Sequence, residues 1–316
     1  MPLSIVTPTR GNFTPYWFER LISIQGDVEF ILVYPPGQVI QKPSDSRIKA
    51  IVSPYKGEVA QRAVGLLNAS SDYVIALDDD DFLHPQVADL VKTYFELYPE
   101  SLCLRLCKQN IDFQDTDLIE RPWDPLPDVT KLTPVKTTYD RDRYAPSEVL
   151  REVPISPLGN RFRLSSLWIY SKRIDQEGPH PENFNNIVWK REIVKETVVD
   201  LLKFTQFWGS LIWLPFWNLD RLLGLYLQAL VFQPDMVLGH HILSGDQVRY
   251  IEARSSTKGE VRSMFAADMI LALKFPQYGY LWNLFFYEMW VAFKVFGRER
   301  LNRIGKRIRG IRQRRQ

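Results

Sequence analysis

Residues 57–82 constrain the fold of this chain more than any other stretch of its sequence. The stretch opens with a glycine and continues with apolar residues at spacings of three to four, a pattern that predicts a helix. The apolar run 73–77 follows and has the length and composition of one buried strand. Four consecutive aspartates, Asp78 to Asp81, come directly after it. Open α/β sheets bind ligands outside the carboxyl ends of their strands, so we expect these aspartates at the edge where such a sheet does chemistry.

Four adjacent carboxylates repel one another unless a cation lies between them. At an effective dielectric constant of ~20, two unit charges ~4 Å apart cost roughly 4 kcal/mol. A bound divalent cation removes this cost, and ligands that are all oxygen suit Mg²⁺ or Mn²⁺. The alternative is a solvated acidic turn in which Asp81 caps the helix predicted to begin near Pro85. Because a buried strand precedes the run, we favour the metal site.

The order of the predicted elements indicates an α/β fold with a mostly parallel sheet and helices on both faces. The first half reads β-α-β-β-α-β, and an amphipathic helix follows the aspartates. Residues 114–160 lack a sustained period and are expected to form a long irregular excursion over the active edge. The predicted strands are 3–7, 28–33, 48–52, 73–77, 102–113 and 162–170, and the predicted helices outside the opening stretch are 15–24 and 85–98.

The aspartate run and the helix before it carry a resemblance to a known family. Residues 78–80 match an Asp-x-Asp motif that follows such a strand, and Asp81 and Pro85 also stand in the expected places. Residues 61–66, QRAVGL, are similar to an A-R-N-x-G-L helix, with alanine at the usual asparagine. The chain thus resembles the family-2 glycosyltransferases of GT-A fold, the Rossmann-like fold of nucleotide-diphospho-sugar transferases. The resemblance is good over about residues 1–115, loose to about 255, and absent beyond.

The resemblance implies a nucleotide-sugar donor, either a UDP- or a GDP-sugar, and a bound Mg²⁺ or Mn²⁺. Asp80 would hold the metal chiefly, with help from Asp78, and Asp79 would contact the donor. The segment 237–248, VLGHHILSGDQV, resembles the late His-containing segment of the family, whose histidine joins the metal or the diphosphate. Adjacent histidines on a strand point to opposite faces, so at most one takes this role, and we favour His241. The alternative is a structural or solvent-exposed histidine.

Two loops at the same predicted edge are candidates for donor contacts. The family places a Pro-Thr or Pro-Ser loop against the nucleotide base and ribose, and the resemblance assigns this role to Pro8, Thr9 and Arg10. The loop after the third strand approaches the donor in the family, which makes Lys56 and Arg62 candidates for diphosphate contacts. Without the resemblance, the first loop is simply a turn and the two cations are solvated surface charges.

The acceptor side requires a carboxylate that takes a proton from the attacking hydroxyl. In the family this acid lies at the head of a helix well after the Asp-x-Asp motif, in an acidic pair. The nearest match is Asp220 in the segment 218–225, NLDRLLGL, where the pair is reduced to one acid. Asp220 is equally consistent with a residue that begins a helix beside its N-terminal dipole. Asp200 and Glu192 are the reserve candidates.

Basic residues concentrate at the end of the chain. Of 40 basic and 37 acidic residues, a net charge of +3, nine bases and one acid lie in 298–315. The remaining 31 bases and 36 acids make the body mildly acidic, which argues against a nucleic-acid groove. Residues 281–296 are apolar and aromatic but, like 201–217, too interrupted to span a bilayer, and both stretches could instead be core helices of a large domain. An aromatic helix followed by a polybasic segment predicts peripheral membrane contact through 281–316, and a solvated tail is the alternative.

The expected domains follow from where the resemblance ends. We expect a GT-A domain over residues 1–255, with a nucleotide-sugar-binding half (1–115) and an acceptor half (116–255), and a helical, membrane-associating region over 256–316. The two cysteines lie in a strand-like run, 103–107, and are expected to be strand side chains in a reducing compartment rather than zinc ligands. Since the chain runs directly into a strand, we expect no signal peptide and a cytoplasmic protein, peripheral on the inner face of the plasma membrane.

These features predict metal-dependent, inverting transfer of a sugar from a nucleotide-sugar to a lipid-linked or polysaccharide acceptor. Two other classes stay open. A non-catalytic sugar- or nucleotide-binding scaffold of the same fold is favoured by Ala63 and by the single acid at Asp220. A nucleotidyltransferase shares the α/β layout and the metal carboxylates, but its usual Gly-rich loop with a basic residue is not evident after the first strand.

Overall fold

A nine-stranded sheet forms the centre of the molecule. The computed structural model describes residues 3–38, 40, 45–136, 149–168, 180–206, 209, 211–252, 263–294 and 297. The strands are β1 (Leu3–Pro8), β2 (Val28–Tyr34), β3 (Ile48–Val52), β4 (Tyr73–Ala76), β5 (Phe82–Leu83), β6 (Cys103–Arg105), β7 (Lys108–Asp112), β8 (Thr133–Val135), β9 (Val149–Pro154), β10 (Ile187–Lys190), β11 (Val237–Ile242) and β12 (Val248–Glu252). The helices are α1 (Pro15–Ile22), α2 (Glu58–Asn68), α3 (Val87–Leu97), α4 (Thr116–Glu120), α5 (Arg191–Thr205), α6 (Phe216–Leu230), α7 (Phe265–Lys274) and α8 (279–294).

The large sheet is parallel in its first half and mixed in its second. Its strand order is β3-β2-β1-β4-β10-β6-β11-β9-β8. The first four strands pair in parallel, as the β-α-β-β-α-β order predicted. β10 then runs antiparallel to both β4 and β6, and β11 is parallel to β6 but antiparallel to β9. The predicted α/β class is therefore confirmed. The prediction of a mostly parallel sheet holds only for the four strands from the first 76 residues.

Helices cover both faces of the sheet, as predicted. Val6 of β1 packs with Leu66 of α2 in a core that also takes apolar residues from α5, α6 and α7. Ile5 points to the other face and packs with Trp17 of α1 and Val91 of α3. All six residues of β1 are buried, Ser4 and Thr7 included, so the strand does not alternate between buried and exposed positions.

Gly65 lets α2 lie directly on the sheet. A Cβ atom at this position would lie 2.3 Å from Cγ1 of Val6 and 3.0 Å from Cγ2 of Val33. Real Cβ atoms do not approach that closely, so only glycine allows the helix its distance from β1 and β2. The helix in turn carries Gln61 and Arg62 to the carboxyl edge of the sheet.

The strand predicted at 162–170 is wrong over 162–168, and residues 169–170 lie outside the described part of the chain. Leu164–Leu167 form a short 3-10 turn rather than a strand. Leu164 and Trp168 are 72% and 73% exposed, so neither side chain packs in the core of the sheet. The strand that enters the sheet is β10, which inserts between β4 and β6. Its run Ile-Val-Trp is too short to stand out by periodicity, although all three side chains are buried.

Two other sequence predictions change in detail. The strand predicted at 102–113 is two strands, because β6 stays in the large sheet while β7 joins a separate three-stranded sheet with β5 and β12. The region 114–160 is less irregular than predicted. It contains α4, a 3-10 turn at Val129–Lys131, and the strands β8 and β9, of which β8 lies at the edge of the large sheet, while its residues 137–148 lie outside the described part of the chain.

Residues 263–294, predicted to belong to a separate C-terminal region, pack into the main core. Leu271 of α7 and Leu284 of α8 are fully buried in the same apolar cluster as the sheet. Arg221 of α6 adds a buried ionic link, since its guanidinium lies 2.8 Å from Glu182, 3.4 Å from Asp268 of α7 and 3.5 Å from Glu288 of α8. No helix among the residues described is long and apolar enough to cross a membrane. The basic segment 298–316 lies outside the described residues.

Candidate active site

The carboxyl ends of β1 and β4 bring the first loop and the aspartates together. Because these strands are parallel neighbours, the residues that follow them meet at one edge. Thr9 donates a hydrogen bond from Oγ1 to Oδ2 of Asp79 at 2.7 Å, and its Oγ1 accepts the backbone N–H of Gly11 at 3.0 Å. Gln61 of α2 donates a hydrogen bond from Nε2 to the carbonyl of Thr9 at 2.9 Å, which holds the loop against α2. The loop is therefore both a turn and a wall of the aspartate site.

The other predicted donor residues surround this point. Pro8 is the buried last residue of β1, and Arg10 is exposed immediately beyond it. Arg10 is close enough to Glu58 for its charge to lower the pKa of that carboxyl, although burial raises it overall. Lys56 is exposed in the loop between β3 and α2, as its surface-charge alternative also requires. Their contacts with a donor stay predictions.

The four aspartates have four different surroundings. Asp78 forms an ion pair with Arg62, and Asp79 accepts the bond from Thr9. Asp80 is exposed, yet partial burial of its carboxyl group and the negative charges of Asp78 and Asp79 raise its pKa to about 6. A carboxyl group whose pKa is raised by like charges is one that a cation would stabilise in its ionised form.

Asp81 has a structural role, and it is not the helix cap of the alternative interpretation. It is 3% exposed, and its Oδ1 accepts the backbone N–H of Ile251 in β12 at 3.0 Å. Its carbonyl accepts from Nε1 of Trp17 at 2.8 Å. The N-cap position of α3 is Gln86, which makes no side-chain capping bond. Burial and then the charge of Asp78 raise the pKa of Asp81 well above its ordinary value.

Arg62 lies beside Asp78 and connects the aspartates, through Asn185, to Asp220. The residue is only 3% exposed, so the solvated-charge alternative is wrong for it. Its guanidinium pairs with Asp78, contacts Glu58 Oε1 at 3.1 Å, and donates to Oδ1 of Asn185. The charges of Asp78, Glu58 and Asp220 raise its pKa against the opposing effect of burial. Arg62 thus positions groups on both sides, and its predicted contact with the diphosphate stays a prediction.

Asp220 is held at the edge by the chain that leads into β10. It lies in the second turn of α6, whose N-cap position is Pro215, so it does not begin the helix. Its Oδ1 accepts the backbone N–H groups of Phe184 at 2.9 Å and Asn185 at 2.5 Å. Burial raises its pKa, although these two bonds and the charge of Arg62 oppose the rise. An oriented carboxylate with a raised pKa has the properties of a general base.

The reserve candidates for the base lie on α5. Asp200 accepts a bond from Oη of Tyr226 at 2.8 Å and pairs with Nζ of Lys274 at 2.8 Å, which makes it part of the packing of α5, α6 and α7. Glu192 is in the first turn of α5, where a carboxylate stabilises the helix dipole. Neither residue lines the cavity described next.

A cavity of about 790 Å³ opens beside Asp220. Its lining comes mainly from residues 105–108, between and at the ends of β6 and β7, and from residues within 180–187, with single residues of α6, β11 and β12. The lining residues used below are Arg105, Lys108, Glu182, Asn185, Asp220, His241 and Tyr250. The cavity is joined to the aspartate site through Asn185, which both lines it and bonds Arg62.

The two adjacent histidines separate as the strand geometry requires. His240 is 8% exposed, its Nδ1 lies 2.9 Å from Oη of Tyr94, and its ring packs against Tyr98. His241 instead lines the cavity, where burial and the charges of Arg105 and Arg151 lower its pKa to about 3. Across the described ranges, no group of three or more His, Cys, Asp or Glu residues is arranged to hold a metal ion. The metal role of His241 stays a prediction.

Lys108 and Tyr250 are site residues that the sequence reasoning missed. Nζ of Lys108 lies 3.3 Å from the ring centroid of Tyr250, across the pair β7 and β12. Burial, followed by the charges of Asp81, Asp78 and Asp80, raises the pKa of Tyr250 to about 12. Burial lowers the pKa of Lys108 although Asp81, Glu252 and Asp220 oppose this. Lys108 and Tyr250 thus line the same cavity as Asp220, and both lie close enough to the aspartates for these charges to act on their pKa values.

Asn185 was also missed, but a sequence signal for it exists. It belongs to the polar run Asn183 to Asn186, interrupted only by a phenylalanine, directly before the short apolar β10. Because β10 is antiparallel to β4, the residues before β10 lie at the edge where β4 ends. Polar residues ahead of an antiparallel strand therefore reach the same site as polar residues after a parallel one.

No family model matches this chain, and no curated protein matches it. The structure of residues 1–349 of S. aureus TarS in complex with UDP-GlcNAc is similar with a TM-score of 0.47 and 12% identity, covering 87% of this chain and 66% of that one. The complex of the same TarS fragment with UDP gives 0.44 and 12%, covering 87% and 65%. A further structure of TarS gives 0.44 and 11%, covering 88% and 43%. This chain spans less than two thirds of the length of these proteins, and its function is inferred from the site itself.

Proposed function

We propose that this protein is a metal-dependent glycosyltransferase of GT-A fold that transfers a sugar from a nucleotide-sugar to an acceptor hydroxyl with inversion. The observation that carries the proposal is the linkage of two carboxylate sites through one buried arginine. Arg62 pairs with Asp78 in the aspartate run and bonds Asn185, whose backbone N–H holds Asp220. A metal site for a diphosphate and a general base for an acceptor are the two sites that this reaction needs at adjacent positions.

The aspartate run is chemically suited to Mg²⁺ or Mn²⁺. Mg²⁺ is commonly bound through one or two carboxylates together with substrate phosphates, so two protein ligands suffice when a diphosphate supplies the others. Asp80, whose pKa is raised by partial burial and by the charges of Asp78 and Asp79, would be the chief ligand, and Asp78 would assist it. When bound, the cation would neutralise charge on the departing diphosphate. The charged neighbours of His241 are Arg105 and Arg151, which disfavour a cation, and we therefore assign His241 to the cavity.

Asp220 would act as the base. Its Oδ1 is occupied by two backbone N–H groups, and Oδ2 takes part in neither bond. In the proposed step, Asp220 takes the proton of an acceptor hydroxyl as that oxygen bonds to the anomeric carbon. The bond from this carbon to the diphosphate breaks on the opposite side, which inverts the configuration. Arg62 would act as a positioning residue, because it contacts groups on both sides of the reaction.

The donor loops complete the proposed nucleotide-sugar site. Oγ1 of Thr9 lies 2.7 Å from Oδ2 of Asp79, so its loop lies beside the aspartates that would hold the metal. Arg10 and Lys56 are exposed cations on the two loops at this edge, where they could pair with a diphosphate. Pro8 and Thr9 would line the base and ribose of a UDP- or GDP-sugar.

The proposal is tested by metal-dependent nucleotide binding. UDP, GDP and UDP-GlcNAc are added to the full chain with Mn²⁺ or with EDTA, and the melting temperature is measured. A ligand at about 100 times its Kd stabilises the native state by about 2.7 kcal/mol. We expect stabilisation by one nucleotide with Mn²⁺, its loss in Asp80→Asn, and no loss in Asp27→Asn, an exposed aspartate at the opposite ends of the strands. Equal nucleotide binding with EDTA would contradict the metal role.

A non-catalytic scaffold of the same fold is the second candidate. Its support is Ala63, which replaces the asparagine of the resemblance and is buried in the core rather than facing the aspartates. Release of UDP from UDP-GlcNAc or of GDP from a GDP-sugar separates the two. An enzyme should release nucleotide with Mn²⁺ in the wild type and not in Asp80→Asn. Nucleotide binding without any release, with acceptors present, would favour the scaffold.

We also propose a peripheral contact with the cytoplasmic face of the membrane, which would suit a lipid-linked or polysaccharide acceptor. The support is an exposed apolar surface on α8 and on the turn packed against it. Phe293 is 61% exposed, and Trp290 bonds the carbonyl of Ser166, which places the exposed Leu164 and Trp168 nearby. The basic segment that follows would add about 1 kcal/mol per residue near an anionic leaflet. Deleting residues 298–316 should release the protein from vesicles containing phosphatidylserine, and unchanged binding would contradict this contact.

A further inference from the structure

Two arginines flank His241 in a row across three neighbouring strands. The register pairs His241 of β11 with Arg105 of β6 on one side and with Arg151 of β9 on the other. Cross-strand partners share a face of the sheet with their Cβ atoms roughly 5 Å apart, so the two arginines lie on one face, two strands apart, with His241 between them. Positive side chains on one face attract a negatively charged ligand that can reach them.

Two residues of this row, Arg105 and His241, line the cavity beside Asp220. Lys108, three residues after Arg105, lines it as well. Arg105 is half-buried, and burial lowers its pKa, with Arg151 acting in the same direction. The guanidinium is therefore partly removed from water, where an opposite charge is worth more than at the surface.

Both acids that line the cavity, Glu182 and Asp220, accept hydrogen bonds from other groups of the protein. Glu182 accepts from Arg221 at 2.8 Å and from Oη of Tyr280 at 2.6 Å. Asp220 accepts from two backbone N–H groups and lies within the field of Arg62. The cavity thus combines two acids that already have hydrogen-bond donors in the protein with the basic residues Arg105 and Lys108.

We infer that the cavity binds an acceptor that carries an oxyanion, a phosphate or a carboxylate, with Arg105 as its principal contact. This inference rests on the proposed function only in identifying the ligand as the acceptor. A guanidinium presents two parallel donors that match the oxygens of either group. His241 can add a neutral imidazole N–H, and Lys108 a second charge. A volume of about 790 Å³ holds one or two sugar units, so that a hydroxyl can face Asp220 while the oxyanion faces Arg105.

The test compares sugars of similar size that differ in charge. Glucose 6-phosphate, glucuronic acid and glucose are titrated into the full chain by calorimetry, with and without UDP and Mn²⁺. Because a phosphate that occupies the donor site would be displaced by UDP, binding that persists with UDP present reports the cavity. We expect both anionic sugars to bind at least 10-fold more tightly than glucose, and the ratio between them to distinguish phosphate from carboxylate.

Variants locate the binding. A charge-assisted hydrogen bond to a partly buried group changes affinity on the order of 10- to 100-fold, so Arg105→Gln should weaken the anionic sugars by that factor. Arg105→Lys keeps the charge without the paired donors and should lie between. Arg20→Gln, on the surface helix α1, is the matched control and should bind like the wild type. If Arg105→Gln does not fold, the wild-type preference for charged sugars and the Arg105→Lys variant decide.

The outcomes separate this inference from the proposed function. Glucose binding as tightly as the charged sugars, or an unchanged affinity in Arg105→Gln, would overturn the anionic site while leaving metal-dependent UDP binding intact. Conversely, the wild type could bind the anionic sugars and Arg105→Gln fail to bind them while no nucleotide binds to either. That result would support the anionic site and contradict the proposed glycosyltransferase function.

Discussion

Replacing Asp80 by asparagine should stabilise the protein without metal and destroy its response to metal and nucleotide. Asparagine keeps the shape of the side chain and removes one of the charges that Asp78, Asp79 and Asp80 place side by side. The two effects have opposite signs because the same repulsion that costs stability in the free protein is what a divalent cation would relieve.

The size of the stability gain follows from the pKa of Asp80. That pKa is raised from 3.8 to about 6, which corresponds to about 3 kcal/mol at 1.36 kcal/mol per unit. Burial is the largest cause of this shift, and the repulsion from Asp78 and Asp79 comes next. Because Asp80 is exposed, water screens both, and we reduce the figure to about 1 kcal/mol. For a chain of this size, 1 kcal/mol raises the melting temperature by about 2 °C.

The pH dependence has a definite sign. The folded protein holds the Asp80 proton more tightly than the unfolded chain, so stability from the protonated carboxyl is complete below about pH 3.8 and is lost as pH rises through about 6. Asp80→Asn should therefore exceed the wild type in melting temperature more at about pH 7.5 than at about pH 5.

Thermal denaturation in EDTA and in Mn²⁺ with UDP measures both effects, with Asp27→Asn as the control for loss of one exposed charge. Wild type should melt below Asp80→Asn in EDTA and above it with Mn²⁺ and UDP. An Asp80→Asn variant that is less stable in EDTA, or that keeps the full Mn²⁺ response, would refute the reasoning.

Three further predictions concern the base, the ionic link and the helix contact. Asp220→Asn should lower sugar transfer by about 10²- to 10⁴-fold while leaving the nucleotide thermal shift unchanged, and a parallel loss of nucleotide binding would argue against a base. Arg221→Met leaves two buried carboxylates, Asp268 and Glu288, and the partly buried Glu182 without their shared cation and should cost about 3–5 kcal/mol in urea denaturation, whereas a loss below about 1 kcal/mol would mean that the link is not structural. Gly65→Ala should lower the unfolding free energy by about 1–3 kcal/mol despite the better helix propensity of alanine, because its Cβ would meet Cγ1 of Val6 at 2.3 Å, and a more stable variant would contradict that contact.

Local patterns predicted the parallel half of the sheet and the place of the aspartates. The strands β1 to β4 and the helices α1 to α3 lie within a few residues of their predicted bounds. Long apolar runs buried on both faces have few alternative structures, and the residues that follow a parallel strand must lie at its carboxyl edge. For this reason Thr9 and Asp79, which are 70 positions apart, could be expected to meet.

The strand β10 could not be predicted in the same way. Its four residues carry no usable period, and its antiparallel insertion between β4 and β6 depends on strand pairing across more than 80 residues of chain. The contact of Arg62 with Asn185, 123 positions later, follows only from that insertion. The orientation of Asp220 follows from it as well.

Sequence alone determined that this chain forms an α/β sheet with a row of acids at one edge, because periodicity and burial act between near neighbours. Only the tertiary structure decided which distant groups share that edge. It placed Asp81 in a structural bond to β12 and Asn185 and Asp220 beside Arg62. It also placed Arg105 beside His241 on the wall of a cavity. These contacts depend on strand order and direction, which pairing between remote segments sets and no local pattern encodes.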